Sequence, residues 1–319
     1  MTRRVAVLTL PFGEFDPGPA RALEAAGAEL SWNPWGRKPT HAELVAHLAE
    51  ARPEVVIAST ERYDAAALDA APELRLIART GVGLDGIDLL AARARGVAVT
   101  WTPEGPSDSA AELATGLLLA LSRHVLPADR DVRAGRWARR VGWLLRERTV
   151  GIVGLGRIGS RVARILAGFG ARPLATDVDP AVVPVAAALG VPLVPLGELL
   201  SRADAVTLHV PLTEDTYDLL DARTLSLLPR GAFLVNTSRG EVVNEAALIA
   251  ALDEGRLAGA ALDVYTDEPY RGPLAGRDDV VLTCHMGSCT REGRRAMEWG
   301  ATNATLAWLR GEPLPDRVV

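Results

Sequence analysis

The stretch TCHMGSCT, Thr283–Thr290, holds the chain's only two cysteines, Cys284 and Cys289, with His285 between them. Three chemistries suit those residue types. Thiolates and an imidazole can bind a metal. A thiol beside an imidazolium can become a reactive thiolate. An imidazole by itself can pass a proton near neutral pH. A zinc site wants four ligands, or three and a water, and the chain has no further cysteine. A metal is therefore not expected, the two thiols read as inert neighbours ahead of a redox pair, and whether His285 passes protons has to be decided by the rest of the chain.

A second chemical signal is TVGIVGLGRIGSRVARILAGFG, which carries Gly154-x-Gly156-x-x-Gly159. Alone the pattern is weak. Here it follows a strand-like run, opens a helix-like one and leads to a second strand ending in Asp177, 23 residues after Gly154. That context reads as a dinucleotide-binding turn. Gly154 allows the tight turn, Gly156 lets the backbone approach a pyrophosphate, and Gly159 lets helix and strand pack closely. The amides of Arg157 and Ile158 lie where a helix N-terminus binds negative charge. A carboxylate at Asp177 accepts from both ribose hydroxyls and repels a 2′-phosphate, which favours NAD over NADP.

Elements must position these groups. Short apolar runs (RRVAVLTL, EVVIAST, LRLIART, VAVTW, then TVGIVG, ARPLATD, AVTLHV, AFLVNT, GAALDV, VVLTCH) alternate with Ala/Leu/Glu stretches. Such alternation predicts parallel sheets with helices on both faces. Gly96, Gly170, Gly231 and Gly255 sit where helices should stop. From Ser107 to about Arg148 the rhythm breaks: a long helix is expected to about His124, followed by an Arg/Trp-rich arm. The segment REGRRAMEWGATNATLAWLRG reads as one helix that returns to the first domain.

Composition bounds the rest. At 319 residues, 48% hydrophobic and 24% charged, the chain reads as ordered with two domains. Net charge is −5, and the arginines follow no basic patch, which argues against nucleic acid. No apolar run reaches the ~18–20 residues of a membrane span. The N-terminal run breaks at Pro11 and reads as a strand rather than a signal peptide. With two cysteines and no disulfide framework, a cytoplasmic location is expected.

Several ordered motifs extend these signals: ARTGVGLDGIDLLAARARGV, TPEGPSDSAAELATGLLLALSR, GIVGLGRIGSRVA, LHVPLTEDT, LVNTSRGEVVNEAALIAAL, GAALDVYTDEP and LTCHMG. Together they resemble the D-2-hydroxyacid dehydrogenases, the group that includes D-3-phosphoglycerate dehydrogenase. The resemblance implies a Rossmann NAD-binding domain and a smaller, discontinuous flavodoxin-like substrate domain, with the active site in the cleft between them. It puts the substrate domain at residues 1–100 with 286–319 returning to it, and the NAD-binding domain at 101–285. It implies a homodimer joined through the 107–148 arm, with Trp137 and Trp143 as apolar anchors.

By the same resemblance Arg239, Glu268 and His285 fall on the catalytic positions. Hydride arriving at C2 of a 2-oxo acid leaves an alkoxide that needs a proton, which an imidazole can give. A carboxylate orients that ring, and a guanidinium grips the substrate carboxylate in a planar fork. Singly, each is commoner as a surface charge, a turn residue or a structural histidine; all three in order carry the reading. Softer carry-over gives the amides of Val82 and Gly83, in the Gly81-Val82-Gly83 turn, to the substrate carboxylate, and Asp263 to the nicotinamide carboxamide. His209 and Pro211 become the adenine-side wall, and Thr237 and Ser238 line the nicotinamide half.

Three departures matter. Cys284 stands where relatives carry proline. Arg79 matches one of the arginines that phosphoglycerate enzymes direct at a distal phosphate, but the other falls on Ala58, with Arg62 nearby. Phosphoglycerate itself is thereby disfavoured, while a dianionic 2-oxo acid, phosphorylated, phosphonylated or dicarboxylic, stays open within the wider class of 2-oxo acids. The regulatory domain of longer relatives has no counterpart, so no serine feedback is expected. Two alternatives stay open: phosphite oxidation, and an NAD(H)-sensing binding protein like the C-terminal-binding corepressors. Formate is disfavoured, because formate dehydrogenases of this group carry glutamine at the Glu268 position.

Overall fold

Each buried β-branched run becomes a parallel strand, and each Ala/Leu-rich stretch a helix on one of its faces. The computed structural model describes residues 3–319, so Met1 and Thr2 lie outside the described residues. It divides into two units, one running up to Pro106 and resuming over Ser288–Val319, the other Ser107–Gly287.

The first unit begins β1 (Arg3–Val7), α1 (Gly18–Ala25), β2 (Ala28–Trp32), α2 (His41–Ala51), β3 (Val55–Ala58), α3 (Ala65–Asp69), β4 (Leu76–Arg79), α4 (Leu89–Ala94) and β5 (Ala98–Thr100). The strands are ordered β2-β1-β3-β4-β5 and all pair in parallel. This is the flavodoxin-like winding. The two-residue period of β1 sends Val5 and Val7 to one core and Ala6 and Leu8 to the other.

The second unit follows with α5 (Ser107–Ser122), α6 (Val125–Arg133), β6 (Thr149–Val153), α7 (Arg157–Gly168), β7 (Arg172–Thr176), α8 (Val183–Leu189), α9 (Leu196–Arg202) and β8 (Ala205–Leu208). Then come α10 (Ala222–Ser226), β9 (Ala232–Asn236), α11 (Glu245–Asp253), β10 (Leu257–Leu262) and β11 (Val280–Leu282). The sheet runs β11-β10-β9-β8-β6-β7, again parallel throughout. β6 lies between β7 and β8, so the crossovers leave it toward opposite sides and open a crevice at the strand ends. In α7 the buried residues Gly159, Val162, Ala163 and Leu166 repeat with helical spacing.

The chain then returns to the first unit with α12 (Arg291–Arg310), capped by the Thr290 side chain, which accepts from the Gly293 amide at 3.0 Å. Ala301, Ala304 and Leu306 of α12 join the core that holds Val5 and Val7. The division falls after residues 106 and 287, where the sequence put it after 100 and 285. Residues 101–106 stay with the first unit because they lie against α12. A Cβ on Gly105 would meet the Met297 side chain at 2.7 Å, and one on Gly300 the Thr102 side chain at 2.6 Å.

Three further readings of the sequence meet the structure here. Gly96, Gly170 and Gly255 all take positive φ, close after α4, α7 and α11. Gly231 also does, but in the turn into β9, well past the end of α10. Trp143 is half-buried and packs on Phe233, ring centroids 5.2 Å apart, so it serves its own unit's core. Trp137 is 83% exposed. Among the described residues, no helix is long and apolar enough to cross a membrane.

Within the first unit, buried Arg294 and Glu298 pair at 3.2 Å one turn apart on α12. Together they hold the loop after β1: Arg294 donates to Thr9 Oγ1 and to the Pro11 carbonyl, and Glu298 accepts from the Gly13 amide at 2.9 Å. Replacing one member leaves the other buried without its counter-charge. Glu298→Ala is expected to lose about 3–5 kcal/mol in urea unfolding, and a paired Arg294→Met/Glu298→Leu replacement much less. A single-variant loss below about 1 kcal/mol would mean that water reaches the pair.

Candidate active site

The glycine turn joins β6 to α7. Gly154 has φ +90, and a Cβ there would lie 2.7 Å from the His209 carbonyl oxygen. A Cβ on Gly159 would overlap the Gly154 carbonyl, so helix and turn touch backbone to backbone. Nothing lies within 4 Å of the Cβ position on Gly156. The N-cap residue is Gly156, and the first amides of α7, those of Arg157 and Ile158, sit at the positive end of the helix. Asp177 closes this corner from the end of β7: its carboxylate accepts from the Leu155 amide at 2.6 Å and the Asp179 amide at 2.9 Å.

Two buried polar atoms at neighbouring strand ends lack a partner among the described residues, Nδ1 of His209 after β8 and Oγ1 of Thr237 after β9. Nε2 of His209 lies 2.9 Å from Thr207 Oγ1. Burial lowers the His209 pKa to about 3, which keeps the ring neutral at working pH. A helix N-terminus behind a glycine turn, an acidic strand end and two orphaned polar atoms fit a dinucleotide along the tips of β6–β9. Pro211 stands exposed in the loop after β8, its carbonyl taken by Thr216 Oγ1 at 2.6 Å.

The three expected catalytic residues lie in this same unit, at the carboxyl edge of its sheet. Arg239 follows β9, and its Nη1 donates to the Ser238 carbonyl at 2.6 Å. Glu268 lies on the loop after β10. His285 follows β11, with Nδ1 at 3.0 Å from both Glu268 oxygens. A carboxylate only accepts, so Nδ1 carries the proton and Nε2 is the nitrogen offered outward. Glu268 also accepts from the Tyr265 amide at 3.3 Å.

His285 has φ +53, a left-handed conformation unfavourable for a residue with a Cβ. Asp263 holds it there. The Asp263 carbonyl accepts the His285 amide at 2.7 Å. One carboxylate oxygen takes the Thr283 hydroxyl at 2.6 Å and the Met286 amide at 2.9 Å, and the other takes the Gly287 amide at 2.8 Å. The resemblance gave Asp263 to the nicotinamide; the contacts seen here serve the histidine loop.

Three residues that sequence reasoning passed over complete the arrangement. Buried Asn236 accepts from the Ser238 amide and hydroxyl and donates to the Arg239 carbonyl at 2.7 Å, fixing the arginine turn. Gly240 lets that turn press on the Glu268 loop, because a Cβ there would overlap the backbone at Tyr265 and Thr266. Tyr265 directs its hydroxyl between the carbonyls of Leu262, at 2.9 Å, and Thr283, at 2.8 Å, tying the ends of β10 and β11. The glycine after Arg239 and the asparagine at a strand end were readable signals; the tyrosine hydroxyl was not.

In the first unit, Gly81-Val82-Gly83 forms the turn after β4, and Arg79 is buried against it. Arg62 is exposed and pairs with Asp64 at 3.3 Å. Cys284 and Cys289 are both exposed. Among the described residues, no three His, Cys, Asp or Glu side chains cluster as metal ligands would.

Known proteins resemble this chain throughout. Residues 115–287 match the family described as "D-isomer specific 2-hydroxyacid dehydrogenase, NAD binding domain". A glyoxylate reductase of Korarchaeum cryptofilum (strain OPF8) is 43% identical over 267 residues, covering 81% of this chain and 80% of that one. The D-3-phosphoglycerate dehydrogenase of Mycobacterium leprae (strain TN) is 41% identical over 288 residues, covering 89% of this chain and 54% of its own. A crystal structure of a protein from Thermus thermophilus aligns with a TM-score of 0.88 at 36% identity, over 99% of this chain and 100% of that one.

The His209 pKa carries a stability consequence. The folded ring stays neutral down to about pH 3, whereas the unfolded chain binds a proton near pH 6.5. Stability is therefore lost as pH falls below about 6.5, and the loss continues to about pH 3. Between pH 7 and pH 5 this ring accounts for about 2 kcal/mol. Urea unfolding of the wild type and His209→Asn at both pH values should show the wild type falling further by that amount. Equal falls would mean the ring is hydrated in the folded state.

Proposed function

The chain belongs to the D-isomer-specific 2-hydroxyacid dehydrogenase family, and from that premise we propose that it interconverts a D-2-hydroxy acid and its 2-oxo acid by the proton and anion chemistry of Arg239, Glu268 and His285. The family is NAD-binding. Bound nicotinamide would supply or accept the hydride at C2. Gly154, Gly156, Gly159 and the Arg157 and Ile158 amides would hold the pyrophosphate, Asp177 the ribose, and His209, Pro211, Thr237 and Ser238 the flanks of the two rings.

The observation that carries this reading is the His285 ring held by both Glu268 oxygens at 3.0 Å, on the same sheet edge as the glycine turn. In reduction, Nε2 of protonated His285 gives its proton to the C2 oxygen as charge develops there. Glu268 keeps the ring in one tautomer and balances its positive charge. Arg239 binds the substrate carboxylate and polarises the carbonyl. The amides of Val82 and Gly83 are a second proposed ligand for that carboxylate.

Two readings of the substrate tail follow. The glyoxylate reductase likeness favours a small monoanionic acid. The phosphoglycerate dehydrogenase likeness favours a dianionic one, phosphorylated, phosphonylated or dicarboxylic. The test is NADH oxidation against a graded panel of 2-oxo acids, with NADPH in parallel. Turnover with NADH well above NADPH is expected, and His285→Ala should lower kcat/KM by about 10²–10⁴. Tight NADH binding with no turnover of any acid would overturn the 2-oxo acid reading in favour of phosphite oxidation or NAD(H) sensing.

The reading also makes the chain a homodimer through the segment after α6. Asp131 receives the guanidinium forks of Arg136 and Arg140 at 2.7–3.0 Å, which shapes this otherwise irregular stretch. Trp137 is 83% and Val141 90% exposed, an apolar pair suited to an interface. Light scattering should give about twice the 33.8 kDa chain mass. Trp137→Glu should return it to one chain; a monomeric wild type would remove the dimer from the reading.

A further inference from the structure

The turn that the functional reading assigns to the substrate carboxylate is built around Arg79. This side chain, at the end of β4, is only 7% exposed. Its Nε donates to the Gly83 carbonyl at 3.1 Å, and its Nη1 to the Thr80 carbonyl. Thr102 takes the residue between: its Oγ1 accepts the Gly81 amide at 2.7 Å, and its amide donates to the Gly81 carbonyl at 3.1 Å. Three carbonyls of the turn are thus turned inward and occupied.

What remains are the N–H groups of Val82 and Gly83. Among the described residues nothing accepts a hydrogen bond from either. Successive amides with their carbonyls drawn away form a nest for an anion. The guanidinium lies directly behind it. Gly81 has φ +147, and a Cβ there would meet Nη1 of Arg79 at 2.7 Å, so glycine is what lets the cation sit against the turn. Buried Glu61 lies within electrostatic reach of Arg79. Its carboxyl is raised by burial and drawn back down by the Ser59 amide and, more weakly, by the charge of Arg79.

We infer that Arg79 is a positioning residue that shapes the Gly81–Gly83 turn from within, and that the substrate is therefore a small monoanionic 2-oxo acid. The inference rests on the reading that this turn binds the substrate carboxylate. For Arg79 to reach a distal phosphate, its guanidinium would have to release Thr80 and Gly83, and the turn would lose the contacts that orient its amides. The second arginine that a phosphorylated acid would need is Ala58 in this chain, and nearby Arg62 pairs with Asp64.

A matched pair of substrates decides it: a three-carbon 2-oxo acid phosphorylated at C3 and its unphosphorylated parent, each with NADH and full-length protein. The wild type should prefer the parent acid. Arg79→Gln should raise KM for both acids by the same factor, about tenfold or more, with kcat nearly unchanged and NADH binding intact. Arg79→Lys should not rescue, since an ammonium keeps the charge but cannot fork across two carbonyls.

A loss confined to the phosphorylated acid, or rescue by lysine, would overturn the positioning role. Preference of the wild type for the phosphorylated acid would do so even if the variants failed to fold. No turnover of either acid, nor of any other 2-oxo acid, would bring down the functional reading and this inference with it.

Discussion

Asp263 is the residue on which the Glu268–His285 pair depends. A histidine in the left-handed region is unfavourable by about 1–2 kcal/mol, and His285 holds that conformation because both its flanks are tied to one buried carboxylate. Three donors to two oxygens, with the Asp263 carbonyl taking the His285 amide itself, leave the loop little freedom. The ring then points where Glu268 meets Nδ1 squarely. If the clamp loosened, the Glu268–His285 pair would lose its geometry before it lost any of its chemistry.

The clamp works because of where parallel strands end. All six strands of the second unit run the same way, so the residues that follow them share one edge of the sheet. Gly154 follows β6, Asp177 β7, His209 β8, Arg239 β9, Asp263 β10 and His285 β11. No single segment could gather these groups, which lie more than a hundred residues apart in sequence. The winding gathers them, and it opens a crevice beside β6 where the crossovers part. In the first unit the same rule puts Arg79 and its turn at the end of β4.

Much of this was legible in the sequence for a physical reason. Strands covered on both faces must be apolar throughout, and ten of the runs read as strands lie within or beside the observed ones. The strand not read was β2, Ala28–Trp32, an edge strand whose Glu29 and Ser31 dilute the apolar signal and which pairs only with β1. The glycine turn and the ordered motifs pointed to the candidate residues by type. The supports were harder to see. Asn236, Tyr265 and the clamp role of Asp263 depend on distances between strands far apart in the chain. Trp143 read as an interface anchor because nothing in its neighbourhood announces Phe233, ninety residues on.

The proline absent before His285 illustrates how those supports compensate. Proline would fix one φ angle beside the His285 ring; Cys284 does not. Here the restraint comes from both sides of the cysteine. Thr283 donates its amide to the Leu262 carbonyl at 3.0 Å, offers its own carbonyl to the Tyr265 hydroxyl and gives its hydroxyl to Asp263. On the other side the His285 amide is bound to Asp263. A residue held between two pinned neighbours has little torsional freedom left for a pyrrolidine ring to remove. The exposed thiol can therefore occupy the position without loosening the histidine, because rigidity that one ring would have supplied is distributed over Tyr265, Asp263 and Thr283.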